Sequence, residues 1–351
     1  MKLNLRNFPT GNLPYEDIRL CKQMMLKLYE DVPFLPELPL LNDENIIMLT
    51  TENIPAIKIS DENLLIIADE SSEELQKALD IMNITYNSET YENYEQFSSN
   101  SAYITLYWEM LKRIKPKHTV INILGPYSLA ESISNIAPEV ILTDRNYRKF
   151  ISECIALKTI WFLQNIKKYS PDTKPIIMLN EPHFSKFGML KYNNENITAE
   201  TLPTLYSKLV LKIKKLGAFV GVQSFDKCNW QIILDSNVDM ISFGAYNNPQ
   251  NLNIIAPKVN NFLSKGGYIN WGMIPVNNEK VIKSLNIDSI YKKFTTAIEE
   301  LSSEGVSLDL LYRNSTVSVQ GNMSELPIIY AEKALILANQ LSKKIPMSSR
   351  L

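Results

Sequence analysis

The sequence predicts an α/β fold, specifically a (β/α)8 barrel (a TIM barrel) carrying an N-terminal insertion or small cap. Three observations lead there. From about residue 118 onward, short β-rich runs alternate with helical patterns, which implies parallel strands with helices over the sheet. Some of those runs, such as residues 219–222, are apolar without interruption, as strands buried on both faces are. The 351 residues exceed the usual size of one core but suit a single barrel with insertions.

Taken in order, a short first strand is expected at residues 5–8 and a helix over 15–31. Residues 32–100 break the alternation. "VPFLPELPLL" is punctuated by prolines, and short strands at 46–49, 55–59 and 64–68 precede a polar helix, so this stretch is expected as an inserted or capping segment of one 1–351 domain. Strands then follow at 118–124, 174–180, 217–223, 238–244, 266–275 and 308–319. Between them, residues 145–168 place Phe150, Ile151, Cys154, Ile155, Leu157, Ile160, Trp161 and Leu163 close to a 3.6-residue repeat. The helix over 198–216 has Thr198 as its N-cap and Gly217 as its stop. Ile290, Phe294, Ala297, Ile298 and Leu301 stripe the helix 288–304, and a last helix spans about 324–342.

Composition narrows the function classes. Hydrophobic residues make up 45% and charged residues 21%, ordinary for a soluble globular protein. A net charge of −2 with no long basic run gives no case for a nucleic-acid partner. Cys21, Cys154 and Cys228 are odd in number and far apart, which argues against a disulfide framework and suits a reducing compartment. The N-terminus lacks the apolar core of a signal peptide, and no run reaches the ~18 apolar residues of a membrane span, so a cytoplasmic protein without a membrane partner is expected.

In a barrel the site lies at the C-terminal strand ends, here residues 11–14, 125–127, 180–183, 223–228, 244–247, 271–275 and 315–321. Glu181, flanked by Asn180 and Pro182, suits a general base or a cation binder, or else an anchor that bonds neighbouring loops. Tyr127, Tyr246 and Trp271 suit the walls of a pocket for a flat ligand, or ordinary rim packing. Of the two histidines, His118 begins a strand at the end opposite the site and suits a structural role. His183 could share a rim with Glu181 and Cys228, although nothing in the spacing fixes a metal geometry.

Taken together, these strand ends resemble the catalytic domain of cobalamin-independent methionine synthase and its single-domain relatives, in a superfamily that includes uroporphyrinogen decarboxylase. "TGNLPYEDI" is similar to the family's Gly-Ser-Leu/Phe-Pro opening, "LGPYSLA" to its Gly-Pro segment, and "IMLNEPHFSKFG" to its Asp-Glu-Pro strand end. "GAFVGVQSFDKCNWQIIL" resembles the strand bearing His-x-Cys, "VDMISFGAY" the strand bearing a metal-binding acid, and "GGYINWGMIP" the Gly-rich strand after it. The resemblance implies a homocysteine methyltransferase that holds its substrate thiolate on zinc. Carried over residue by residue, however, the His falls on Gln223, the Cys on Phe225, the acid on Gly244, and the last Cys near Gln320 and Gly321. None of these is a soft zinc ligand, so neither a metal nor another cofactor is expected. Asn12 replaces the opening serine and Asn180 the aspartate that would pair with an ammonium group. The expected function is a methionine synthase-like barrel with Asn12, Tyr127, Asn180, Gln223, Tyr246 and Trp271 around a small-molecule ligand in the barrel mouth. Any methyl transfer would be non-zinc or altered. The alternatives are a non-catalytic binding or regulatory pseudoenzyme and a metal-free decarboxylase-like lyase.

Overall fold

Seven strands build the main sheet of the computed structural model, which describes residues 3, 6–41, 45–60, 64–69, 71–88, 93–186, 201–226 and 228–346. β1 (Phe34–Leu35) is followed by a separate hairpin of β2 (Ile57–Ile59) and β3 (Leu65–Ile67). The remaining strands are β4 (His118–Leu124), β5 (Lys174–Asn180), β6 (Phe219–Ser224), β7 (Met240–Phe243), β8 (Tyr268–Pro275) and β9 (Ser315–Gln320). The sheet order is β1-β4-β5-β6-β7-β8-β9 with every pair parallel. β4 and β5 occupy the residues the apolar pattern predicts, and β6, β7 and β8 fall within two residues of theirs. The sheet is curled, and its outer face is covered by helices, among them Arg145–Tyr169, Thr201–Lys215, Ile287–Ser303 and Ile328–Lys344.

The N-terminal segment touches both edges of this sheet. Asn7 bridges Val317 of β9, and Asn12 bridges Glu37 just after β1, both in parallel. No regular strand forms at residues 6–8, and Leu5, also part of that expected strand, lies outside the described residues.

Three expectations are corrected. Residues 46–49 are not a strand but part of the helix Ile46–Thr51, whose start is capped by the Asn45 side chain accepting from Met48 N; the Thr50 and Thr51 hydroxyls donate to the carbonyls of Ile46 and Ile47. The expected strand 308–319 divides into the helix Leu308–Arg313, capped by Ser307, and β9. Short apolar runs do not by themselves separate these two outcomes. β1 arises inside the proline-punctuated stretch assigned wholly to the insertion, and it belongs to the main sheet. The predicted N-cap Thr198 lies outside the described residues.

The helix Arg145–Tyr169 is buried over most of its circumference, and one of its enclosed side chains is Lys158. Its ammonium donates to the carbonyls of Glu52 and Phe97, each at 2.8 Å, and to Ser99 Oγ at 2.9 Å. Burial pulls the Lys158 pKa down to about 8. Among the described residues, no helix is long and apolar enough to cross a membrane.

Candidate functional site

The strands β5 to β8 each place one amide or hydroxyl side chain on a common face, and β9 places Thr316 and Ser318 there. Register brings them into a single row. Asn180 lies opposite Gln223, Gln223 opposite Ser242, Ser242 opposite Asn270, and Asn270 opposite Thr316. Because strand side chains alternate between faces, this row occupies the inner face of the curled sheet, while the neighbouring residues point out toward the helices. Along the strands the row descends, from the last residue of β5 to the second of β9.

The row is joined by hydrogen bonds that all run the same way. Thr316 Oγ1 donates to Asn270 Oδ1 (2.9 Å), Asn270 Nδ2 to Ser242 Oγ (2.8 Å), and Ser242 Oγ to Gln223 Oε1 (3.3 Å). Gln223 Nε2 then donates to Asn180 Oδ1 (3.4 Å), and Asn180 Nδ2 reaches Glu37 Oε1 at 3.5 Å. Asn270 Nδ2 is shared with Ser318 Oγ at 2.8 Å. Glu37 is buried, and the Ile46 N–H also bonds its carboxylate. Burial outweighs these bonds and pushes its pKa up to about 7.

The seven predicted site residues divide between the two faces. Asn180 and Gln223 are in the inner row, and Asn12 joins it through its backbone bridge to Glu37. Glu181, one residue beyond Asn180, is fully buried on the other side. Its carboxylate accepts from Tyr127 N (3.2 Å), Ser128 N (2.8 Å) and the Tyr206 hydroxyl. This ties the helix Pro126–Ser132 and the helix Thr201–Lys215 to the end of β5. Gly125 permits the approach, since a Cβ there would lie 2.1 Å from Glu181 Oε1. Burial pushes the Glu181 pKa up to about 7 against those bonds. Tyr127 is buried beside it, with its hydroxyl donating to Glu131 and its ring edge-on to Phe184.

Trp271 corrects the expectation most plainly. It is fully buried on the outer face, with Nε1 donating to Ser315 Oγ at 2.8 Å and its ring between Phe243 and Phe294. Trp271 follows Asn270 directly, so the two cannot share a face. The half-buried Tyr246 ring faces Lys293, whose Nζ lies 3.8 Å from its centroid. The expected convergence of Glu181 and Trp271 with Asn180 and Gln223 on one cavity therefore does not occur.

The positions onto which zinc ligands would fall do not fit a zinc ion. The Gln223 amide is committed to Asn180 and Ser242. A Cβ at Gly244 would lie 2.3 Å from the Phe225 carbonyl oxygen and 2.7 Å from Gln320 Nε2. Gln320 in turn accepts from Tyr246 N at 3.1 Å. Nor does Glu181 with His183 and Cys228 make a substitute. Burial and the Glu181 charge hold the Cys228 thiol well above its usual range, disfavouring the thiolate a metal requires. Among the described residues, no group of three or more His, Cys, Asp or Glu could hold a metal ion.

Sequence reasoning missed Glu37, Ser242, Asn270, Thr316 and Ser318. The available signal was a lone polar residue inside an apolar run, Asn270 within "YINWGMIP" and Ser242 within "MISF", and a period of two only at Thr316 and Ser318 within "STVSVQ". Glu37 had no such signal, because the prolines of its stretch obscured β1.

No family model and no curated protein matches this chain. Among solved structures, a Bacteroidetes-affiliated GH5 cellulase linked with a polysaccharide utilization locus is 12% identical over 71% of this chain and 79% of its own, with a TM-score of 0.41. The GH20 catalytic modules of a pneumococcal exo-beta-D-N-acetylglucosaminidase are 11% identical over 96% of this chain and 82% of theirs, with a TM-score of 0.42. At that level of likeness no function transfers.

Proposed function

We propose that the chain is a (β/α)8 barrel of the methionine synthase-like type, with residues 6–13 in the eighth strand position. It binds a small uncharged polar molecule at the inner end of the sheet without zinc-held thiolate chemistry. The observation that carries this reading is the inner row itself: amides and hydroxyls from β5 to β9, each bonded to the next, ending on the single carboxyl of Glu37. Asn12, Asn180 and Gln223 stand nearest that end. A site built this way matches ligand donors and acceptors rather than a full charge. Methyl transfer to an alkyl thiol is disfavoured, because an unpolarised thiol is only a few per cent ionised near neutral pH.

The second reading is a non-catalytic binding protein using the same row. It is favoured by the placement of Glu181, whose carboxylate is spent on Tyr127, Ser128 and Tyr206.

Protein dialysed without chelator is expected to carry well below one zinc per chain and to form no methionine from homocysteine and methyl-folate above background. Stoichiometric zinc lost on Cys228→Ser, or robust turnover, would overturn the proposal. Mass spectrometry of small molecules released on denaturation is expected to find an uncharged polar compound that Gln223→Leu no longer retains.

A further inference from the structure

The five hydrogen bonds of the inner row could have run in mixed directions, since each amide can present either its oxygen or its NH2 to a neighbour. They do not. Every donor faces toward Glu37, from Thr316 in β9 through Asn270, Ser242 and Gln223 to Asn180. A chain of aligned donors polarises cooperatively, and its positive end lies against the carboxyl. Such a chain cannot conduct a proton through its amide members. It can, however, make the carboxylate form of Glu37 more favourable than burial alone would leave it.

We propose that Thr316, Asn270, Ser242, Gln223 and Asn180 are positioning residues of one oriented relay, and that Glu37 at its end is the acid–base group of the binding site. The inference rests on the inner face being that site. Two bonds, from Asn180 and the Ile46 N–H, use part of the roughly four acceptor positions of a carboxylate. The remainder can accept an O–H or N–H of an uncharged ligand. The groups acting on Glu37 are burial, the Asn180 amide from β5 and the Ile46 N–H from the helix Ile46–Thr51, with no ionised side chain among the described residues. The relay is therefore the adjustable influence on its proton. With burial placing the midpoint at about 7, small changes in polarisation move Glu37 between its two forms at neutral pH.

The test needs no ligand, so its outcome is separate from whether one is found. Carbon-13 NMR of protein labelled at the glutamate carboxyl, with Glu37→Gln and Glu181→Gln assigning the signals, follows both buried groups against pH. Ser242→Ala cuts the relay in the middle, and Thr316→Val removes its far donor without touching Glu37 or its neighbours. In both, the Glu37 midpoint is expected to rise by about 0.3–0.5 pH unit, a two- to three-fold gain in proton affinity, while the Glu181 midpoint stays put. A Glu37 signal that titrates with the exposed carboxylates overturns the proposal. So does a midpoint unmoved in both variants, or an equal movement of Glu181, which would mark a general loosening of the fold.

Discussion

Replacing Trp271 with alanine is expected to lower the free energy of unfolding by about 3–5 kcal/mol, with a clear fall in Tm. The side chain is fully enclosed, packs on Phe243 and Phe294, and gives its N–H to Ser315, so the substitution leaves both a cavity and an unpaired hydroxyl acceptor. Retention of any small molecule bound at the inner face should survive in the fraction that stays folded, because the ring lies on the other side of the sheet. Thermal unfolding with and without the co-purifying compound checks both halves. A stable Trp271→Ala protein that has lost its ligand would return this residue to the pocket.

The second large effect falls on Glu181. Glu181→Leu removes the carboxylate acceptor of two backbone N–H groups and the hydroxyls of Tyr206 and Ser128, and is expected to cost about 3–5 kcal/mol. Glu181→Gln, close in shape to the protonated acid, should be milder and should change the pH dependence instead. Burial raises the folded pKa to about 7, above the ordinary carboxylate value. The folded state therefore binds the proton more tightly than the unfolded chain. This contribution to stability is complete below about pH 4.5 and is lost as pH rises through about 7. Glu37 acts with the same sign. Denaturant unfolding should thus show stability declining between pH 5 and 8, and Glu181→Gln should flatten that decline. When Glu181 takes up a proton, the Tyr206 and Ser128 hydroxyls are the partners that can turn from donor to acceptor, because the backbone N–H groups of Tyr127 and Ser128 cannot. A profile rising over this range would contradict the assignment.

Strand positions from β4 to β8 were legible in the sequence because apolar runs bounded by turn residues leave few alternatives, whereas the run at 308–319 hid the helix Leu308–Arg313 ahead of β9. Which face a strand-end residue takes was less legible, and the site depended on it. Asn180 and Glu181 are adjacent, as are Asn270 and Trp271, and in each pair the more chemically prominent residue proved to point outward. A carboxylate and an indole draw attention by type, yet the alternation of the pleat assigned the inner face to their plainer neighbours. Glu37 was hidden for a different reason. A two-residue strand flanked by Pro33 and Pro36 leaves no periodic trace, and only its pairing with β4 reveals it.

Lys158 has a consequence for how the molecule comes apart. Its ammonium is fixed by carbonyls of two segments of the 46–97 region and by a nearby hydroxyl, so those segments cannot lift away without stranding a cation or admitting water to it. They should behave with the helix Arg145–Tyr169 as one foldon rather than as a lid that frays first. Native-state hydrogen exchange is the measure. Slow amides of Ile46–Thr51 and Tyr94–Phe97 are expected to open with the same free energy as those around Lys158, and Lys158→Met, which keeps the bulk but drops the donors, should let the outer segments exchange ahead of the helix.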